Sequence, residues 1–301
     1  MILSKAAIYF DEVARRGSIR SASERLNIAA SAIDRQILQL ERFFGVRLYE
    51  RLPSGIRLTA AGEMAVHAIR ESKRELENLQ HQLDELQGLR RGEVKVAAAE
   101  GAMSVLGTAV CAMRGAYPGI VTRMKIMGAA AVVEAVEAGD VDLGLAFNAP
   151  SLRMVRVEAS IGFRMGVVVP PDHRMATRSS VSLNECAKLP LIVPNDSLSL
   201  RQVLDQAWAR TIGGHPHPAA EANSIAMLKS LVRGGAGVGM LTAIDAVDEV
   251  ARGELIFVPL ANKEIVPSTL AIISDQRRIL QGPATVLLSH LQETLSTVAA
   301  A

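Results

Sequence analysis

The chain has 301 residues, 49% hydrophobic and 21% charged, with modest Gly and Pro, which excludes a disordered or fibrous protein and fits two or three globular domains of ~100–200 residues each. No run of ~18 apolar residues occurs, and Asp11 and Glu12 interrupt the opening segment, so neither a membrane span nor a secretory signal is expected and the protein is placed in the cytoplasm. The formal charge of +2 hides an asymmetry: residues 1–60 carry ten Lys/Arg against six Asp/Glu, the remainder 23 against 25, so the basic charge gathers in one short segment, as in a surface that meets a polyanion.

In chain order, Leu3, Ala6, Ala7, Phe10, Val13 and Ala14 recur at helical spacing and stop at Gly17, predicting a packing helix. A second short helix is expected in SIRSASERLN, with Ser21 and Glu24 spaced as a capping box. The third, NIAASAIDRQILQLERFFG, places Ile33, Ile37, Leu40 and Phe44 on an inner stripe and Ser31, Asp34, Arg35 and Leu38 on a neighbouring face. Two short helices and a tight turn, with small residues opening the second, match helix-turn-helix docking, in which the N-terminal part of the second helix enters a major groove. Arg35 and Gln36 would then reach base edges or phosphates. An ordinary helical hairpin with a solvated Arg/Gln edge is the alternative that these residues alone leave open.

GVRLYERLPSGIRLTAAG reads as strand, Pro-Ser-Gly turn and strand, with Arg47, Tyr49 and Arg51 alternating against Val46 and Leu48, and Arg57 between Ile56 and Leu58. A basic hairpin beside a reading helix is a wing, able to clamp flanking phosphates. From Thr59, a candidate N-cap, a helix of ~29 residues and ~43 Å runs to about Gln87. Its seam of Ile69, Ser72, Leu76, Leu79, Leu83 and Leu86, with charged flanks, calls for a partner helix, or else for packing against its own chain. A dimer would set two reading helices on successive half-sites of a pseudo-palindromic duplex.

Gly17 to Glu63 resembles the winged helix-turn-helix of LysR-type transcriptional regulators. That family often has Ser or Thr at the position of Ala29, Gln at Ala30, Pro at Ser31 and Ser at Asp34. With the cap at 29 lost, Ser31 and Asp34 have the spacing of a replacement S-x-x-D box. Asp34 would repel phosphate unless pulled inward or bonded to a cytosine amine. The resemblance together with the spacing gives Arg20, Ser21, Ala30, Ser31, Asp34, Arg35, Gln36, Arg51 and Arg57 as candidate DNA-contacting residues.

After LRRGE, short apolar segments (EVKVAAA, VTRMKIMG, VDLGLAFN, MGVVVPP, PLIVPN, GVGML, LIFVPL, TLAIISD) alternate with helical stretches such as 132–138, 200–210 and 225–233, predicting α/β architecture with largely parallel sheets in two subdomains. VEAGDVDLGLAF and LVRGGAGVGML are similar to the effector-binding domain of the same family, itself shaped like periplasmic solute-binding proteins. The expected organisation is therefore α/β overall: a mainly α winged helix-turn-helix over 1–60, a linker helix over 61–91, and a two-lobed effector domain over 92–301. One lobe would span about 92–165 plus 266–301 and the other about 166–265.

In such folds ligands sit at the C-terminal ends of strands. These ends supply Glu100, Ser104, Gly128, Asn148, Asn195, Ser197, Ser199, Arg201, Asn223 and Ser224 as candidate effector contacts. Ser197 or Ser199 would open the helix that carries Arg201 and give an end suited to anions. Glu100 would meet an amine or hydroxyl and that helix start a carboxylate.

GGAGVG follows a helix and precedes a strand, the reverse of a dinucleotide-binding loop, and reads as a tight turn. His215 to His217 sit in a Gly/Pro loop without further ligands nearby, and no nucleophile elbow, HExxH or P-loop occurs. No cofactor, metal or catalytic residue is expected. Cys111 and Cys186, 75 positions apart, read as buried free thiols. The function implied is a homodimeric or homotetrameric transcriptional regulator that binds double-stranded DNA and senses a small molecule. The alternative is a cytoplasmic solute-binding-type protein without DNA function.

Overall fold

The computed structural model describes residues 4–53, 55–86, 91–149, 154–280 and 282–300 and separates into two compact units, Met1–Gly88 and Leu89–Ala301. The first unit opens with α1 (Lys5–Arg16), α2 (Ile19–Leu26) and α3 (Ala30–Phe44), continues through β1 (Tyr49–Leu52) and β2 (Gly55–Leu58), and ends in α4 (Ala60–Leu86).

Local chemistry sets these boundaries. Ser4 caps α1 by accepting from the Ala7 amide, and Gly17 ends it in the left-handed region. Ser18, not Ser21, caps α2, so the expected box at Ser21 and Glu24 does not form and Ser21 lies inside the helix. Serines at 18 and 21 both offer a cap; the helix begins at the earlier one because Ile19 reaches the core from that first turn. Ala29 precedes α3 without a side-chain cap. The expected Ser31/Asp34 box is also absent, because Asp34 bonds to β1 instead.

Phe10, Val13, Ala22, Ile33, Ile37, Leu48, Tyr49, Ala65 and Val66 make the core of this unit. Leu40 packs at its margin. Phe44, expected on the inner stripe, is 48% exposed and meets Phe43 edge-on. The last turn of α3 therefore lies outside the core cluster of this unit, which Leu40 bounds. β1 and β2 pair antiparallel, Tyr49 opposite Leu58, and the Ile56 amide bonds to the Gly17 carbonyl at 2.9 Å, docking the hairpin on the α1–α2 turn. Ser54 of the expected turn lies outside the described residues.

The Thr59 hydroxyl accepts from the Gly62 amide at the start of α4 and donates to the Arg47 carbonyl. Gly62 is required by close approach: a Cβ there would stand 1.8 Å from the Leu48 carbonyl oxygen. Buried Asp11 accepts from Arg15 and from Arg70, tying α1 to α4.

The second unit continues with β3 (Arg91–Ala98), α5 (Met103–Ala116), β4 (Gly119–Ile126), α6 (Ala129–Glu137), β5 (Leu143–Phe147), β6 (Val155–Phe163) and β7 (Met165–Val169). It goes on through α7 (Leu183–Cys186), β8 (Leu191–Pro194), α8 (Ser199–Thr211), β9 (Pro218–Ala222), α9 (Ile225–Arg233) and β10 (Val238–Thr242). α10 (Val247–Ala251), β11 (Ile256–Pro259), β12 (Ser268–Asp275) and α11 (Pro283–Ala300) complete it. Two five-stranded sheets result, ordered β4-β3-β5-β12-β6 and β11-β7-β10-β8-β9.

The sheets are mixed rather than largely parallel. β3 pairs parallel with β4 and β5, but β12 is antiparallel to β5 and β6. In the other sheet β8 is parallel to β9 and β10, whereas β7 is antiparallel to β10 and β11. The chain leaves the first sheet after β6 and returns from the second as β12, entering from the opposite end, which reverses its direction. β6 and β9, edge strands absent from the apolar runs noted in the sequence, close one side of each sheet.

One core fills the second sheet around Val167, Ile192, Leu204, Trp208 and Met240. Cores on both faces of the first sheet are covered by α5 and α11 on one side and α6 on the other. Ile244, just after β10, packs into the core of the first sheet and so sutures the two lobes.

The glycines of GGAGVG turn α9 into β10. Gly235 has φ +76°, and a Cβ at Gly237 would stand 2.3 Å from the Pro190 carbonyl oxygen. Cys186 is buried, but Cys111 is exposed, against expectation: Val105, Leu106, Ala109 and Met113 form the buried face of α5, and residue 111 falls outside it.

Candidate DNA interface and ligand cavity

Burial of Ile33 and Ile37 against α1 and α2 turns the opposite edge of α3 to solvent. Ala30, Ser31 and Arg35 are exposed there, and Gln36 is half-buried. Gln39 and Arg42 continue the exposed ridge one and two turns on; they follow Arg35 at helical spacing, a signal that the candidate set above did not use. Arg25, Arg35, Arg42 and Arg47 have no ion-pair or hydrogen-bond partner for their guanidinium groups among the described residues.

The other expected cations are engaged. Arg20 meets Glu24 on the surface, Arg57 meets Glu50 across the hairpin at 2.7 Å, and Arg51 meets Asp34 at 2.6 Å. Asp34 is therefore pulled inward, with one oxygen accepting from both Arg51 and the Tyr49 hydroxyl. Burial, and then the bond to Asp34, push the Tyr49 phenol pKa up and keep it a donor.

Along α4, Ile69 packs against the core of its own unit rather than on a free seam, because it is the turn of α4 that follows buried Ala65 and Val66. Further on, Ser72, Leu79 and Leu83 are exposed and Leu76 is half-buried. The side chain of Leu86 lies outside the described residues.

In the second unit a cavity of about 270 Å3 opens between the two sheets at the ends of β3, β4, β5 and β10, as expected for α/β folds. Of the candidate effector residues it is lined by Glu100, Gly128, Ser197, Ser199 and Asn223. The rest of its wall includes Met127, Phe147, Leu198, Thr242, Asp245 and Ser268. α8 opens at Ser199 after Leu198, and α6 opens at Ala129 after Gly128, neither with a side-chain cap.

The remaining candidates are used elsewhere. Ser104 lies on the first turn of α5, off the lining. Asn195 accepts from the amide and hydroxyl of Ser197, a local turn. Arg201 is held by Asp205, Glu221 and the Pro194 carbonyl and does not line the cavity. Asn148, in the left-handed region at φ 45°, bonds to Ser268 and to the Thr269 amide. It lines a second cavity of about 200 Å3, shared with Ser199, Gln206 and Arg210. Ser224 caps α9 and donates to Glu100.

Glu100 is the junction of the two lobes. Its carboxylate accepts from Ser224 Oγ at 3.0 Å and from the Ala226 amide at 2.9 Å, so a residue at the end of β3 caps a helix of the other lobe. Asp245 faces it across the same seam, buried, accepting from the Thr242 amide and hydroxyl. Gly101 admits it: a Cβ there would lie 2.5 Å from Asp245 Oδ1. Burial raises the Asp245 pKa to about 6, against the pull of the Thr242 bonds and of Lys229, with Glu100 adding to the rise. No motif or spacing pointed to Asp245, since only the fold brings residues 100 and 245 together.

A winged helix-turn-helix on the same chain as a two-lobed α/β domain with a cavity between its sheets defines a ligand-responsive DNA-binding regulator. The family described as bacterial regulatory helix-turn-helix protein, lysR family, matches residues 5–63, and the LysR substrate binding domain matches residues 87–296. The chain belongs to the LysR family of transcriptional regulators.

Among curated relatives, it is 27% identical to the RuBisCO operon transcriptional regulator of Allochromatium vinosum, over 77% of each chain. It is 25% identical to the transcriptional activator CmpR of Synechocystis sp., over 82% of this chain and 81% of the relative. Among solved structures, a full-length OxyR variant of Pseudomonas aeruginosa aligns with a TM-score of 0.68 at 19% identity, covering 95% of this chain and 93% of that one. CbnR in complex with its target DNA aligns with a TM-score of 0.55 at 21% identity, covering 96% and 98%. Among the described residues no helix is long and apolar enough to cross a membrane.

Proposed function

We propose that residues 1–60 bind a pseudo-palindromic operator, that the helix over 61–91 pairs two copies, and that a small effector bound within 92–301 shifts the balance between two lobe arrangements. Effector binding would thereby alter half-site spacing or DNA bend. The protein acts in the cytoplasm and without catalysis.

The observation that carries this reading is the exposed edge of α3, where Arg35 has no partner among the described residues and follows Asp34, which bonds to the hairpin. Ala30 and Ser31 leave room at the groove floor, Arg35 and Gln36 read base edges, and Arg42 and Arg47 add phosphate contacts. Exposed Leu79 and Leu83 support a partner helix along α4.

In the effector cavity, the uncapped start of α8 near Ser197 and Ser199 suits a carboxylate. The acceptors Glu100 and Asp245 suit an amine or hydroxyl.

Binding to the DNA upstream of its own gene, measured over a salt series, tests the first part. Affinity should fall steeply with salt, and Arg35→Ala should flatten the log–log slope by about 0.9 per lost phosphate contact or abolish sequence preference. Salt-independent or absent binding opposes the reading. For the cavity, a thermal-shift screen of small amino and hydroxy acids should yield an effector whose affinity drops in Glu100→Gln. An effector indifferent to that change refutes the assignment of Glu100.

A further inference from the structure

The acid in the reading helix does not face outward. Asp34 is half-buried, and its Oδ1 accepts from Tyr49 Oη at 2.8 Å and from Arg51 Nη2 at 2.6 Å. Both donors belong to β1 and, two residues apart, share one face of the hairpin. Tyr49 is buried in the core of the unit, so the Asp34–Tyr49 bond is anchored at both ends. Arg51 is the exposed member of the trio, its side chain 66% accessible.

This cation is one that a helix-and-hairpin DNA interface would otherwise send to the phosphate backbone. Its neighbour on α3, Arg35, has no such tether among the described residues.

We propose that Asp34 is a positioning residue: it fixes the hairpin against α3 through Tyr49 and withholds Arg51 from phosphate, holding down the sequence-independent part of DNA affinity. This rests on the DNA-binding reading above. Asp34 gains nothing by facing a duplex, since a carboxylate near phosphate is repelled, whereas a bond to an arginine that is both charged and exposed removes one positive charge from the interface. Releasing that charge would add about one phosphate contact. At ~0.9 counterion per contact this steepens the log–log salt slope by about 0.9 and tightens binding about eightfold at 0.1 M salt.

The test uses the full chain and a random-sequence duplex, with fluorescence anisotropy over a salt series for the parent, Asp34→Ser, Arg51→Ala and the double variant. Asp34→Ser should bind more tightly with the steeper slope, Arg51→Ala should keep the parent slope, and the double variant should return to it. A purely structural role for Asp34 would weaken binding and leave the slope where it was.

The proposal is overturned if Asp34→Ser leaves the slope unchanged, or if Arg51→Ala alone flattens the parent slope, which would mean that Arg51 already sits on phosphate. Should Asp34→Ser fail to fold, as judged by circular dichroism, Asp34→Asn keeps an acceptor for Tyr49 while removing the charge, and the same slopes are expected of it. A parent chain that binds no duplex at any salt concentration sinks the DNA-binding reading itself, and this inference with it. A parent that binds steeply with variants that match it sinks only the inference.

Discussion

Replacing Asp245 with Asn should make the second unit more stable at neutral pH. The side chain is 7% exposed, and its Oδ2 accepts from the Thr242 amide at 2.8 Å and hydroxyl at 2.7 Å. These bonds, with Lys229 nearby, fall short of the cost of burying the charge, and Glu100 adds repulsion, so the pKa stands at about 6 against an ordinary 3.8. Lys229 itself is spent on Glu249 at 2.8 Å.

Because the folded state holds this proton more tightly than the unfolded chain, the associated stability is fully present below the ordinary pKa and is lost as pH rises through about 6. A shift of about two units at ~1.36 kcal/mol each sets the loss at roughly 3 kcal/mol by neutral pH. Asn offers a carbonyl for both Thr242 donors without the charge, so it should recover up to about 2–3 kcal/mol, less any cost of an unpaired amide N–H of ~1 kcal/mol.

The assay is urea unfolding followed by fluorescence of Trp208, the single tryptophan, buried in the core of the second sheet. The parent should lose stability between about pH 4 and pH 7, the span bracketing the ordinary and the raised pKa, and the variant should not. Equal pH slopes in the two proteins, or a variant weaker than the parent at neutral pH, would refute the reasoning.

Ile37→Ala empties a fully buried position in the small core of the first unit. It should cost ~2–5 kcal/mol, abolish duplex binding and leave the Trp208 transition in place. Gly62→Ala forces a methyl onto the Leu48 carbonyl, and amide exchange in the first unit should speed up in line with a loss of ~1–3 kcal/mol. Native alkylation followed by mass spectrometry should label Cys111, which is exposed, and spare Cys186, whose thiol burial pushes up to about 12. Two labels at neutral pH without denaturant would contradict the burial of Cys186.

The first unit was the most legible part of the sequence, because its signals are local. The Ile33–Ile37 spacing, Gly17 as a helix stop and Thr59 as a cap each act within a few residues, and each is where periodicity and capping place it. Failures began where two local options compete. Ser18 and Ser21 both offer a cap, and contact of Ile19 with the core selects the first. Ile69 and Phe44 fit their stripes by spacing, yet one meets its own core and the other runs beyond it. The alternation of Val155, Val157, Ala159, Ile161 and Phe163 was present in the sequence as a strand signal for β6; its interleaved Arg156 and Glu158 break the apolar run that marks buried strands.

By itself the sequence determined the order of modules, the α/β class, the amphipathic third helix and which residues could bear charge or hydrogen bonds, since these follow from periodicity, capping and composition over short spans. Tertiary structure alone decided partnership: that Asp34 faces the hairpin, that Glu100 caps a helix 126 positions away at Ala226, that Arg201 is consumed by Asp205 and Glu221, and that Asp245 is buried beside Gly101. Charge and donor count are properties of a residue. Burial and reach depend on which distant segment packs against it, and no spacing rule carries that information.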